Sequence, residues 1–269
     1  MTDEKILTAR SRAAVTELHA RGIIFTIISS RPPRGLRMLL KPLEITTPIG
    51  SFNGGVIAMA DLSVITEHLL LPQVARRAVD VLDAHGVQSW VFAGQDWLVR
   101  DSDGPYVGLE ERTVGFRPTI VEDFRPILDI AAKIVGVSTD FDLLAQCEHD
   151  VRAVLADQAS VACSQPYYLD ITHPLANKGV ALSELAKLLA LPLEEIGVIG
   201  DGGNDIAMFE RSGLSIAMGN ASPEVRRAAD FVTGSNREDG FATAIERFVL
   251  DGDRSNVQAG IARPGGRVW

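Results

Sequence analysis

Apolar positions in the first 22 residues recur at helical spacing. Ala14, Val15 and Leu18 would share one face, Thr8 stands where an N-cap belongs, and Gly22 supplies a stop. A different pattern follows at once. Ile23-Ile24-Phe25-Thr26-Ile27-Ile28 is an unbroken β-branched and aromatic run, which predicts a strand buried on both faces, as in a parallel sheet. It ends at Ser29-Ser30-Arg31-Pro32-Pro33. The apolar stretch from Thr47 to Ile57 is interrupted by Asn53-Gly54-Gly55, and Asn-Gly between apolar runs predicts a hairpin. Val64 to Leu71 alternates as a strand does.

Pro72 reads as a boundary. Beyond it a helix is expected over 74–85, closed by Gly86, then strands over 87–92 and 96–100. An apolar strand begins near Lys133, a helix runs over 143–155, and strands follow over 160–164 and 167–172. From Asn177 the pattern changes again. Helices over 179–190, 205–212, 223–229 and 240–250 alternate with strands over 196–199, 214–218 and 231–233. Such alternation predicts βαβ units around a parallel sheet. The expected fold class is therefore α/β. A doubly wound, Rossmann-like core comes from residues 1–72 and 173–250, and an α+β domain of residues 73–172 is inserted into it. The polar tail 251–269, with its Pro-Gly-Gly, is expected to be disordered.

Composition narrows the partners. The chain has 269 residues, 46% of them hydrophobic and 23% charged, with a formal net charge of −9. An acidic balance argues against nucleic acid, whose phosphates need clustered Lys and Arg. It leaves room for a small phosphorylated ligand held locally. No apolar run approaches the roughly 18 residues that span a bilayer, and the charged start Met1-Thr2-Asp3-Glu4-Lys5 lacks a signal-peptide core. Cys147 and Cys163 have no metal-ligand spacing and read as small buried hydrophobes in a reducing compartment. Cytoplasmic residence follows, with no membrane partner and a monomer or homodimer as the expected state.

The chemistry concentrates in Gly200-Asp201-Gly202-Gly203-Asn204-Asp205, after a buried strand and before a helix. Two carboxylates and an amide on a glycine-rich turn suit Mg²⁺, which takes few protein ligands and completes its shell with water and phosphate oxygens. The helix start would add N–H donors for an anion. Asp201 and Asp205 could equally serve only as helix caps. Ser29, at a strand end, could donate to a phosphoryl oxygen or simply shape a turn. Lys178, in Asn177-Lys178-Gly179, could neutralise a phosphoryl group or be a solvated surface residue. Asn53-Gly54 could border a ligand or be a turn only.

In this order and spacing, these segments resemble the haloacid dehalogenase (HAD) superfamily, and within it the Cof-like subfamily IIB phosphatases with a C2-type cap. Ser29, followed by Arg31 and Pro32, is similar to the second motif. Lys178-Gly179 is similar to the third, and Gly200 to Asp205 to the fourth. Ala217-Met218-Gly219-Asn220-Ala221, Ala229-Asp230 and Glu238-Asp239-Gly240 resemble the C-terminal signature. The resemblance implies Mg²⁺-dependent hydrolysis of small phosphomonoesters such as sugar phosphates through an aspartyl-phosphate. It implies Asp201 and Asp205 as metal residues, Ser29 and Lys178 on the phosphoryl oxygens, and Arg31, Asn53, Gly54 and Asn204 around the substrate. Specificity would sit on the cap, where Trp90, Trp97, Tyr106, Arg112, Arg117 and His173 are candidates for either pocket or core. One departure stands out. The family's first motif, Asp-x-Asp-Gly-Thr at the end of the first strand, supplies the nucleophile, and it does not precede the first helix here. The chain is therefore expected to start too far downstream and to be inactive as given. The alternative is a non-catalytic pseudoenzyme that binds phosphorylated metabolites or regulates a partner.

Overall fold

The computed structural model of the chain describes residues 1–252. The expectation for the tail therefore falls almost wholly outside the described residues. In chain order the elements are α1 (Ala9–Ala20), α2 (Pro33–Leu40), β1 (Ile49–Ser51), β2 (Val56–Ala58), β3 (Val64–Glu67), α3 (Pro72–Ala84), β4 (Gln88–Ala93), β5 (Asp96–Val99) and α4 (Val107–Val114). Next come β6 (Thr119–Ile120), β7 (Ala131–Val137), α5 (Phe141–Leu155), β8 (Ser160–Gln165), β9 (Tyr168–Thr172), α6 (Lys178–Leu188) and β10 (Gly197–Gly200). The chain continues through α7 (Ile206–Phe209), β11 (Leu214–Ala217), α8 (Pro223–Ala228), β12 (Phe231–Val232) and α9 (Gly240–Ala244). The protein is thus a mixed α/β fold. Its residues cluster into two compact units, one of Met1–Thr26, Lys41–Thr47 and the chain from Lys178 on, the other of Ile27–Leu40 and Pro48–Asn177.

In the first unit, β10, β11 and β12 form a parallel sheet, with Val198 beside Ser215 and Ile216 beside Phe231. Crossovers through α7 and α8 follow from the alternating pattern read in the sequence. α1 begins at Thr8, whose hydroxyl accepts from the Ser11 N–H at 3.1 Å, and it buries Ala14, Val15 and Leu18. Ala14 and Leu18 pack with Ala242 and Ile245 of the C-terminal helical segment.

The second unit holds β1, β2 and β3 as an antiparallel meander and a six-stranded sheet in the order β6-β5-β4-β7-β9-β8. The hairpin at Asn53 forms as the sequence predicts. Ser51 pairs with Val56, and Asn53 takes φ 60°, a left-handed conformation Asn tolerates well. The larger sheet lays one face on α3 and α5 through Val91, Ile134, Leu169 and Ile171. Residues 27–40 and 48–72, assigned by the sequence to the core, cluster with this sheet.

Two expectations need correcting. The run Ile23–Ile28 is not a strand buried on both faces. Only Ile28 makes a ladder contact, a parallel bridge to Gly50, and Ile24 is 47% exposed. Apolar composition sets the propensity for a strand, but a strand exists only where neighbouring backbones pair with it. Cys147 is buried, but Cys163 is exposed on β8, where its thiol donates to the Glu148 carboxylate at 3.2 Å. Desolvation first, then that carboxylate, push the Cys163 pKa up to about 12.

Candidate active site

The glycine-rich turn leaves the carboxyl end of β10, where ligands gather in open α/β sheets. Its organising residue is Asp205, 2% exposed. Asp205 Oδ2 accepts from the N–H groups of Asp201 and Gly202, both at 2.8 Å. Asp205 Oδ1 accepts from Lys178 Nζ at 2.5 Å. Both oxygens are thus occupied by protein donors. The backbone N–H groups that the sequence offered to a bound anion are turned inward onto this carboxylate instead. Two glycines make the arrangement possible. A Cβ on Gly200 would lie 2.3 Å from Asp205 Oδ2, and a Cβ on Gly179 would lie 2.3 Å from the Ala207 carbonyl oxygen. Gly179 therefore lets the first turn of α6 press on α7, which carries Lys178 to Asp205.

Asp201 is different. It is exposed, and its Oδ2 accepts from Asn220 Nδ2 at 2.9 Å. Asn220 in turn accepts from the Asn236 N–H at 2.9 Å, and Asn236 Nδ2 donates to Asp3 at 2.7 Å. Asn220 was legible only as part of a C-terminal signature; its contact with Asp201 depends on the fold. Asp230 of the same signature is structural: it accepts from the Ser215 N–H and hydroxyl at 2.8 and 2.7 Å, tying α8's exit to β11. The side chain of Asn204 stands over Gly202, where an added Cβ would meet its Oδ1 at 2.5 Å. The first unit therefore brings together Lys178, Asp201, Asn204 and Asp205.

The second unit brings together Ser29, Arg31, Asn53 and Gly54. Ser29 N–H donates to the Gly50 carbonyl at 2.9 Å, and the Ser29 carbonyl accepts from the Asn53 N–H at 2.8 Å. Its hydroxyl accepts from the Arg31 N–H at 3.2 Å, a local turn of the kind Ser favours. Burial pulls the Arg31 guanidinium below its ordinary pKa, and the Glu110 carboxylate opposes that shift. Of the remaining candidates, Trp90 and Trp97 are core side chains. Arg112 and Arg117 are exposed. His173 stacks on His68 with ring centroids 5.4 Å apart.

The letters Asp-x-Asp-Gly do occur once, as Asp101-Ser102-Asp103-Gly104, followed by Pro105 rather than Thr. They follow β5 in an exposed turn, where the Asp101 carboxylate accepts from the Asp103 N–H at 2.9 Å. That is an Asx turn, far along the chain from the place the motif holds in the family.

The glycine turn after a parallel strand, with Lys178 on the next helix back, is decisive together with one comparison. The family described as haloacid dehalogenase-like hydrolase matches residues 1–245. The chain belongs to that family. A haloacid dehalogenase-like hydrolase from Bacteroides thetaiotaomicron has a crystal structure that matches this fold with a TM-score of 0.85 at 30% identity, over 92% of this chain and 95% of that one. A 5-amino-6-(5-phospho-D-ribitylamino)uracil phosphatase of Bacillus subtilis is 29% identical over 258 residues, 92% of this chain and 93% of its own length. An HMP-PP phosphatase of Cronobacter sakazakii is 26% identical over 215 residues, 80% of this chain and 78% of its own. Among the described residues no helix is long and apolar enough to cross a membrane.

Proposed function

We propose that this HAD hydrolase is a Mg²⁺-dependent phosphomonoester hydrolase acting on small phosphorylated metabolites, sugar phosphates among them, in the cytoplasm. The observation that carries the reading is the division of labour in the glycine turn. Asp205 and Lys178 satisfy each other, while Asp201 keeps an exposed carboxylate beside them. The B. subtilis relative's name describes a phosphoryl group on a ribityl chain, which fits the same substrate class.

Mg²⁺ suits this donor set, since one carboxylate with waters and phosphate oxygens completes its shell. Asp201 is the residue that would hold it, with Asp205 fixing the turn instead of binding the ion directly. When bound, the ion offsets the negative charge of the phosphoryl group. Lys178 Nζ, held on one side by Asp205, offers its remaining protons to a phosphoryl oxygen. The Ser29 hydroxyl, whose lone pair serves the Arg31 N–H, keeps its proton to donate. Arg31, Asn53, Gly54 and Asn204 are assigned to the substrate surroundings by motif match.

A second reading, a non-catalytic phosphometabolite-binding or regulatory protein, is favoured by one observation. The sequence's only Asp-x-Asp-Gly is tied into an exposed Asx turn at Asp101 and is followed by Pro105. Hydrolysis of p-nitrophenyl phosphate with and without Mg²⁺ separates the two. Mg²⁺-dependent turnover that is lost in Asp201→Ala supports the hydrolase. No turnover, with phosphate binding retained, favours the binding protein.

A further inference from the structure

The parallel strands β10, β11 and β12 end at the same edge of their sheet, and each end delivers one polar residue. β10 leads into Asp201, the turn after β11 carries Asn220, and the turn after β12 carries Asn236. Hydrogen bonds join the three in a row. Asn220 Nδ2 donates to Asp201 Oδ2 at 2.9 Å. The Asn236 N–H donates to Asn220 Oδ1 at 2.9 Å. Asn236 Nδ2 and Arg237 Nε then donate to the two carboxylate oxygens of Asp3, both at 2.7 Å.

The middle of the row fixes its direction. A backbone N–H can only donate, so the Asn220 side chain must turn its oxygen to Asn236 and its NH₂ to Asp201. One oxygen of Asp201 is thereby held. The other, Oδ1, accepts no hydrogen bond among the described residues.

Folding does not require this contact. The Gly219 N–H donates to the Gly234 carbonyl at 2.9 Å, and the Thr233 N–H to the Ala217 carbonyl at 3.0 Å. A Cβ on Gly219 would lie 2.9 Å from the Thr233 carbonyl oxygen, so the two turns are already pressed together through their backbones. The Ser235 hydroxyl ties the second turn to Glu238 at 2.7 Å. Asn220 itself is exposed, and a hydrogen bond within reach of water adds little to stability.

What the amide adds is restraint without charge. Lys178 brings a positive charge to Asp205 and offsets it. The Asn220 amide is neutral, so it restricts Asp201 and leaves its negative charge whole. A carboxylate held in this way meets a cation with its full charge and with less side-chain freedom to lose.

We propose that Asn220 is a positioning residue for a divalent cation: its amide, turned by the Asn236 N–H, holds one oxygen of Asp201 and leaves the other for the ion. The proposal rests on the hydrolase reading, in which Asp201 is the residue that holds Mg²⁺.

Electron paramagnetic resonance of the full chain, titrated with Mn²⁺ as the probe, tests it by counting free ion, with no turnover needed. Wild type should bind Mn²⁺ saturably, with Mg²⁺ competing, and Asp201→Ala should not bind. Asn220→Leu, similar in shape but without the amide, should bind about tenfold more weakly, the usual worth of a group that orients a metal ligand. Its midpoint of urea unfolding should stay that of wild type, and Asn220→Ala should repeat the loss of affinity. Ser235→Ala loosens the neighbouring turn without touching the amide and should bind as wild type does. Wild-type affinity in the Asn220 variants overturns the proposal and leaves the metal reading standing. An equal loss in Ser235→Ala also overturns it, by tracing the effect to loop order instead of the amide. Absence of binding in wild type, or binding that survives Asp201→Ala, overturns the metal reading and this proposal with it.

Discussion

Each unit contains one buried Lys–Asp pair, and the two pairs are built for different ends. In the first, Lys178 and Asp205 meet at 2.5 Å and the other Asp205 oxygen takes two backbone N–H groups. In the second, Lys133 and Asp170 meet at 2.7 Å and the other Asp170 oxygen has no partner. A saturated carboxylate organises its own chain and has nothing left to give. An unsaturated one, equally buried, leaves an oxygen without a donor among the described residues. Ion-pair length and burial do not distinguish the two; the hydrogen bonds of the second oxygen do.

The sharpest way to break this contrast is substitution by the isosteric amide. Whichever way an Asn side chain is turned at position 205, its NH₂ faces a donor, either Lys178 or the two backbone N–H groups. Asp205→Asn should therefore cost about 3–5 kcal/mol in urea unfolding, as broken buried pairs do. Gly200→Ala should match it, because the added Cβ would fall 2.3 Å from Asp205 Oδ2. Asp170→Asn can keep its carbonyl toward Lys133 and turn the NH₂ to the open position, so its cost should be nearer about 1 kcal/mol. Equal losses at 205 and 170 would mean that both carboxylates are structural.

A smaller effect should follow pH. Burial raises the Glu110 pKa above its ordinary 4.5, with Asp170 adding to the rise and Lys133 and Arg31 opposing it. The folded chain thus holds this proton more tightly than the unfolded one. Its contribution to stability is fully present below the unfolded pKa and is lost as pH climbs through the higher folded value. Relative to wild type, Glu110→Gln should gain stability as pH rises above that range, and show no such gain below it. A pH-independent difference between the two proteins, read from thermal unfolding across the range, would remove Glu110 from the titrating cluster. The smallest change is expected at Asp201. Asp201→Ala should leave unfolding within about 0.5 kcal/mol of wild type, as exposed positions do, while removing Mg²⁺-dependent turnover from an active form. A large loss of stability there would make Asp201 a structural residue like Asp205.

The alternation of helix and strand after Asn177, the Asn53 hairpin and the glycine turn were legible because each depends on neighbours close in sequence. Hydrophobic period, turn chemistry and a cap are local physics, and so the fold class and the motif residues could be read from the chain alone. The fate of Ile23–Ile28 could not, because a strand is completed by backbones distant in sequence and its own composition cannot supply them. Nor could the roles of the carboxylates. Asp201 and Asp205 are four residues apart and identical in letter, and either could hold a cation. Only folding shows that one is enclosed by Lys178 and two N–H groups while the other faces outward. Lys133, Tyr168, Asp170 and Glu110 lie on two strands and one helix separated by up to sixty residues, with no motif to join them. The sequence determined which chemical groups the protein has; packing decided which of them are already spent on one another and which are left to meet a ligand.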